Sequence, residues 1–193
     1  MLAFSRLTSF ILFVLSLSLF TYALPAPGAS GALSTRDAKC DQLVDIVVGL
    51  KTKVDTCISA ALKAEVVADV TAQLNLVVGH VESCAHAVVA IGPVTDIDDI
   101  VKADVAAKVA AIIAVILKAC LRLSIKFGLQ VLLDLFAKID VVLKLLLVNL
   151  GACVDGIVIL VSKIAVATCA HILAKLNFKL CLNTLALVNV GIY

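Results

Sequence analysis

The stretch VKADVAAKVAAIIAVILKACLRLSIKF, residues 101–127, contains neither Gly nor Pro and is long enough for a helix of several turns. At about 100° per residue, a stripe roughly 80° wide holds five of its charged side chains. These are Asp104, Lys108, Lys118, Arg122 and Lys126. Nearly all other positions are aliphatic, and Cys120 lies opposite the stripe. The pattern predicts an apolar rod with a polar stripe, which must be covered on most sides by protein, lipid or a partner.

The whole chain is unusually apolar. Of its 193 residues 63% are hydrophobic, and its mean hydropathy is +1.16, whereas ordinary soluble domains are about 45–50% apolar. Aromatic residues make up only 5%, so aliphatic side chains supply most of the apolar mass. The formal net charge is +2, and no basic face with interleaved aromatics indicates a nucleic-acid partner. The length allows one domain with a sizeable core.

Residues 1–23 have the three-part pattern of a secretory signal peptide. Arg6 supplies the basic region, residues 7–20 the apolar core, and Ala23 the end of a small-residue cleavage motif. The alternative is an uncleaved signal anchor. The early cleavage site and the Pro-containing linker argue against it. We therefore expect a secreted, extracellular protein that can associate with the cell wall or surface. Residues 24–36 are then a flexible tail, and residues 37–193 a helical domain.

Helix-breaking residues divide this domain into five or six helices. The periodicity predicts helices at residues 37–62, 64–91, 95–127, 129–150, about 152–176 and about 179–190. Gly92-Pro93, Gly128 and Gly151 mark three of the ends, whereas the hinge near Lys63 has no Gly or Pro. The expected fold is all-α: a single antiparallel bundle of very apolar helices stapled by disulfides. The side chains expected to cover the third helix from the first two are Val44, Val47, Val54, Val66 and Val70.

A membrane-embedded bundle is an alternative. Uncharged runs after the tail are mostly about ten residues long, whereas a membrane span needs about 20. Charged residues such as Lys118, Asp134 and Lys144 interrupt the apolar runs, and a charge at a helix centre is costly in lipid.

No motif of catalysis or metal binding is present. The chain lacks GxSxG, HExxH, P-loop and GxGxxG patterns, so we assign no catalytic or cofactor-binding residue and expect no enzyme. Cys-Ala-His occurs at residues 84–86 and 169–171, but residues two apart on a helix point about 200° apart and cannot converge on one ion. The acidic run at residues 96–99 suits a helix start better than a calcium loop. We therefore assign no metal site and no cofactor.

The seven cysteines all follow residue 39, and their presence behind a signal peptide predicts disulfides. Cysteines at matched distances from a hinge lie level on antiparallel helices. The bonds predicted on this basis are Cys40–Cys84, Cys57–Cys120 and Cys169–Cys181, which leaves Cys153 as a buried thiol or an intermolecular link. The alternative is seven separate packed thiols.

The segment CDQL, residues 40–43, leads into DIVVGLKTKVDTC, residues 45–57, and further steps from a small residue to Cys follow at Cys84, Cys120 and Cys153. In these features the mature chain resembles the small secreted, Ala- and Val-rich helical proteins of basidiomycete fungi. The resemblance covers most of the mature chain and implies an extracellular fungal protein. It contributes no active residue.

Three functions compete on these observations. The first is a secreted structural or surface-active protein that self-associates or adsorbs to hydrophobic surfaces, with Leu145 and Leu147 among the exposed apolar side chains. The second is an extracellular lipid or sterol carrier, and the third is a multi-helix membrane protein. A large exposed aliphatic area would favour the first, a closed apolar cavity the second, and a lipid-facing belt about 30 Å tall the third.

Overall fold

The structure is a computed structural model that describes residues 38–95 and 97–185, except for the side chains of Val166 and Ala170. All regular structure in these ranges is helical, which confirms the predicted all-α class. The helices are α1 Ala38–Lys63, α2 Val67–Ile91, α3 Asp99–Phe127, α4 Leu129–Cys153, α5 Ile157–Lys175 and α6 Lys179–Thr184. The predicted signal peptide and tail, and the end of the predicted sixth helix, lie outside the described residues.

Two helix boundaries differ from the prediction for identifiable reasons. α3 begins at Asp99 rather than at residue 95, because Asp98 is its N-cap and accepts a hydrogen bond of 2.8 Å from Ile100 N. Gly151 was predicted to end α4, but the helix continues to Cys153. A Cβ at Gly151 would lie 3.0 Å from Val158 Cγ2. The missing side chain therefore allows the first turn of α5 to approach α4 closely.

Successive helices run in opposite directions, and hydrogen bonds at the turns fix their relative heights. Lys126 Nζ donates a bond of 2.7 Å to Ala64 O, so α1 and α3 end side by side. Val94 N donates a bond of 2.8 Å to Cys153 O, so α2 and α4 end together at the opposite end. In the ring α1–α2–α4–α3 each helix packs against the next. α5 packs mainly against α3, and α6 against α4 and α5.

α3 has the two-sided character that its sequence predicts. Twelve of its 29 residues are buried, including Cys120. The charged stripe faces outward: Asp104, Lys118 and Arg122 are exposed, and Lys108 pairs with Asp104 at the surface. Two of the side chains expected to cover α3 do not do so. Val66 is 59% exposed, because it lies in the connection before α2, and Val70 belongs to α2, which packs against α1 and α4 instead.

The buried side chains in the described residues are aliphatic, aromatic or cysteine, apart from Asp140, which is 6% exposed. Its Oδ2 accepts a hydrogen bond of 2.9 Å from Leu180 N, and its Oδ1 one of 2.8 Å from Cys181 N. Amides in the first turn of a helix have no intrahelical acceptor, so the carboxylate satisfies two of those in α6. α6 is six residues long, far too short to be stable alone. Asp140 therefore holds α6 on α4.

We expect Asp140→Ala to destabilise the protein by about 2–3 kcal/mol, because two buried amides lose a charged acceptor. Asp140→Asn keeps one acceptor oxygen and should have a smaller effect. Urea unfolding followed by circular dichroism measures both, and hydrogen exchange at Leu180 and Cys181 should become faster. Asp134→Asn, at an exposed position of the same helix, is the matched control. Equal stability of the Asp140 and Asp134 variants would contradict the assignment.

Candidate functional site

A groove of about 440 Å³ lies between α1 and α2, near the middle of both helices. Its lining residues are Asp45, Ile46, Gly49, Leu50, Lys53, His80, Ser83, Cys84 and Ala87. No atom lies within 4 Å of a Cβ built on Gly49, so the absence of a side chain there contributes to the open space. The lining combines both signs of charge with an imidazole and a thiol, which are the residue types that a catalytic site would use.

The groove's nucleophilic groups are not activated. Burial raises the pKa of the Cys84 thiol to about 11, and the nearby charge of Lys53 lowers it only in part. A cysteine nucleophile needs the opposite shift, since the thiolate is the reactive form. The Ser83 hydroxyl donates its hydrogen bond to Gly79 O at 2.7 Å and not to the imidazole of His80. The contacts of this groove therefore supply shape and charge but no activated nucleophile.

The two Cys-Ala-His motifs each place their members on different faces. Cys84 and Cys169 are buried, whereas His86 and His171 are exposed, as expected for residues two apart on a helix. His80, one turn before Cys84, is half-buried and belongs to the groove. Across residues 38–95 and 97–185, no group of three or more His, Cys, Asp or Glu side chains could hold a metal ion.

All seven cysteines are buried, and none of the three predicted disulfides is formed in this structure. Burial is the largest cause that raises the pKa of Cys120 and of Cys181 to about 12. The carboxylate of Asp140 and the thiol of Cys169 raise the pKa of Cys181 further. The thiols of Cys120 and Cys181 are therefore protonated at neutral pH and pack as small apolar side chains.

Two of the predicted pairs lie at matching positions. α1 and α3 end side by side, and Cys57 and Cys120 each lie about two turns before those ends. Cys169 is close enough to Cys181 to affect its pKa, and the short connection between α5 and α6 joins them.

Cys40 is not brought to Cys84. The first turn of α1 reaches the Gly92-Pro93 turn, where Lys39 Nζ donates a bond of 3.3 Å to the proline carbonyl. Cys84 lies eight residues earlier on α2 and faces the middle of α1, which is about 12 Å farther along the helices. A disulfide needs Cα atoms within about 7 Å. The residue that shares the Gly92-Pro93 turn with Cys40 is Cys153, whose Sγ donates a bond of 3.1 Å to the glycine carbonyl.

No family model matches the sequence, and no curated protein matches it.

In the reduced protein, we expect Cys84 to react slowly with iodoacetamide at pH 8. A pKa of about 11, in place of the usual 9.0, lowers the thiolate fraction there. The thiolate fraction is about a hundredfold lower, and the rate of alkylation should rise about tenfold per pH unit until the thiol titrates. Mass spectrometry of the Cys84 peptide, with denatured protein as the reference, measures the rate. Lys53→Met should slow the reaction further, because Lys53 lowers this pKa. Alkylation at pH 8 as fast as in denatured protein would contradict the shift.

Proposed function

We propose that this chain is a secreted, non-catalytic helical bundle that adsorbs to apolar surfaces or self-associates through exposed aliphatic side chains. The observation that supports the proposal is the exposure of large aliphatic residues on several helices. Ile100, Ile125 and Ile159 are 78%, 76% and 62% exposed. Removing apolar surface from water is favourable by about 25 cal/mol per Å². Contact with an apolar surface or with a second copy of the chain would therefore stabilise the exposed isoleucines.

The exposed aliphatic side chains are not the ones suggested by the sequence alone. Leu147 is fully buried and Leu145 is half-buried. Introducing Lys at Leu147 would bury an unpaired charge and unfold the bundle, whatever the surface does. On α4 the exposed large aliphatic residues are Leu129, Val131, Val141 and Val148. Val141 and Val148 are two helical turns apart on one face of α4, and we propose this face as the part of the helix that contacts apolar surfaces.

An extracellular location is part of the proposal. It is supported by the signal-peptide pattern of residues 1–23 and by the resemblance to secreted helical proteins of basidiomycete fungi. A protein that works outside the cell at a wall or an air–water boundary meets apolar surfaces there, and aliphatic side chains can cover them without any catalytic group.

The carrier and membrane alternatives have fewer observations in their favour. A lipid carrier needs a closed apolar cavity, whereas the groove between α1 and α2 is open and is lined by Asp45, Lys53 and His80. Among the described helices, α2 is long and apolar enough to cross a membrane by length and composition. The core helix of a soluble protein passes the same test, and α2 packs extensively against α1 and α4.

We expect Val141→Thr with Val148→Thr to weaken adsorption to an air–water or oil–water interface by about tenfold, because each change removes about 0.8 kcal/mol of apolar transfer. Thr is close to Val in shape and both positions are exposed, so folding should be unaffected. Dynamic surface tension measures adsorption. The reverse change, Thr52→Val with Thr56→Val on the exposed face of α1, should strengthen it. Unchanged adsorption in both pairs, with a monomeric protein and a stoichiometric bound lipid, would favour the carrier.

The disulfide staples are also part of the proposal for the secreted form. Non-reducing peptide mapping of protein secreted into culture medium should recover the Cys57–Cys120 and Cys169–Cys181 peptides, because these pairs lie level or close in the fold. For Cys40, the sequence alone predicts a disulfide with Cys84, and the same peptide map shows whether that bond forms. Recovery of all seven cysteines as thiols from the oxidising medium would contradict the stapled form.

A further inference from the structure

Cys153 ends α4 against the connection between α2 and α3. Its Sγ donates a hydrogen bond of 3.1 Å to Gly92 O, and its carbonyl accepts one of 2.8 Å from Val94 N. The side chain is only 4% exposed. The last turn of α4 is thus fixed to the Gly92-Pro93 turn by both its backbone and its sulfur.

The first turn of α1 is fixed to the same turn from another side. Lys39 Nζ donates a bond of 3.3 Å to Pro93 O, and the next residue, Cys40, is buried. Burial is the main cause that raises the pKa of Cys153, while Lys39 lowers it and Cys40 raises it further. Such effects fall off with distance, so the two sulfurs and the ammonium occupy one small region.

A small opening leads to this region. A cavity of about 210 Å³ is lined by Cys153, by Ala152 and Asn149 on α4, by Val88 and Val89 on α2, and by the Gly92-Pro93 turn. Cys153 lines this cavity, whereas Cys40 is not among the lining residues. Cys153 is therefore the sulfur that an external reagent meets first, and Cys40 is the neighbour behind it.

We propose that Cys153 and Cys40 are a redox pair that a small disulfide, such as oxidised glutathione, converts to a Cys40–Cys153 disulfide. The thiolate of Cys153 attacks one sulfur of the reagent, its S–S bond breaks, and one reduced thiol leaves. The thiolate of Cys40 then attacks Sγ of Cys153 in the mixed disulfide, which releases the second thiol. The two protons of the cysteines end on the two leaving thiols, and the two electrons lost by the protein reduce the reagent.

The bond would join the beginning of α1 to the end of α4. α1 and α4 are not neighbours in the ring α1–α2–α4–α3. The disulfide would therefore span the end of the bundle where both α2 and α4 finish. It closes a loop that contains most of the helical domain, and long loops gain most from crosslinking. Reduction would release the first turn of α1 from α4. The inference is independent of the adsorption proposed above, since it concerns thiol chemistry alone.

The test treats the reduced full-length protein with oxidised glutathione at pH 8, quenches it with iodoacetamide at intervals, and maps the peptides by mass spectrometry. We expect a transient glutathione adduct on Cys153, followed by a Cys40–Cys153 peptide. The oxidised protein should unfold at a temperature about 10 °C higher than the reduced one, and a reductant should reverse the shift. In Cys153→Ala, Cys40 should stay a thiol and the thermal shift should be smaller by the part that the Cys40–Cys153 bond contributes.

Cys84→Ala is the matched control, because it removes the competing partner for Cys40 and should leave the Cys40–Cys153 bond and the thermal shift unchanged. Circular dichroism checks that both variants fold. If either does not, the peptide map of the unsubstituted protein still identifies the partner of Cys40. A Cys40–Cys84 peptide as the main product would overturn the inference. A glutathione adduct on Cys153 that persists without reacting with Cys40 would overturn it as well.

Discussion

Removing α3 from water is the requirement on which the rest of the structure depends. Five of its charged residues occupy a narrow stripe that faces solvent, and twelve of its residues are buried. One neighbour cannot cover so much of a helix. α1 and α4 contact α3 within the ring, and α5 packs along it from outside. The up-and-down path of the chain brings these three helices to α3 with short connections, of which Gly128 between α3 and α4 is the shortest.

An aliphatic core of this kind supplies stability but little information about register. Valine, alanine and leucine surfaces can pack against one another in several relative positions at similar free energy. In this bundle the register is set by a few polar contacts. Asn149 Nδ2 donates a bond of 2.9 Å to Ala85 O between α4 and α2, Lys126 joins the ends of α1 and α3, and Asp140 holds α6. If the helices slid, the buried Asp140 and the half-buried Asn149 would lose their partners, so these two contacts disfavour the alternatives most.

The same burial governs what the thiols can do. Desolvation is the largest cause that raises the pKa of five thiols, which therefore do not gain the thiolate character of a catalytic cysteine: Cys84, Cys120, Cys153, Cys169 and Cys181. Their reactivity then depends on access and on a neighbouring sulfur rather than on acidity. Among them, Cys153 combines a cavity that opens toward it with a second cysteine nearby.

The sequence by itself determined the all-α class, the outward stripe of α3 and the helix ends at Gly92 and Gly128, because helix periodicity and glycine punctuation act within a few residues of the chain. It did not determine the register of α1 against α2. The hinge near Lys63 carries no Gly or Pro, and the observed pairing is shifted by about eight residues from the predicted one, or about 12 Å.

That shift moves Cys40 from Cys84 to the turn that holds Cys153. Leu147 is one of several apolar residues in an uninterrupted run, and the sequence alone does not show that it is buried. In the structure it is fully buried, for a related reason. Which side of an almost wholly apolar helix is buried depends on where its neighbours lie. Only the tertiary structure decided these points, because they are set by contacts between residues far apart in the chain.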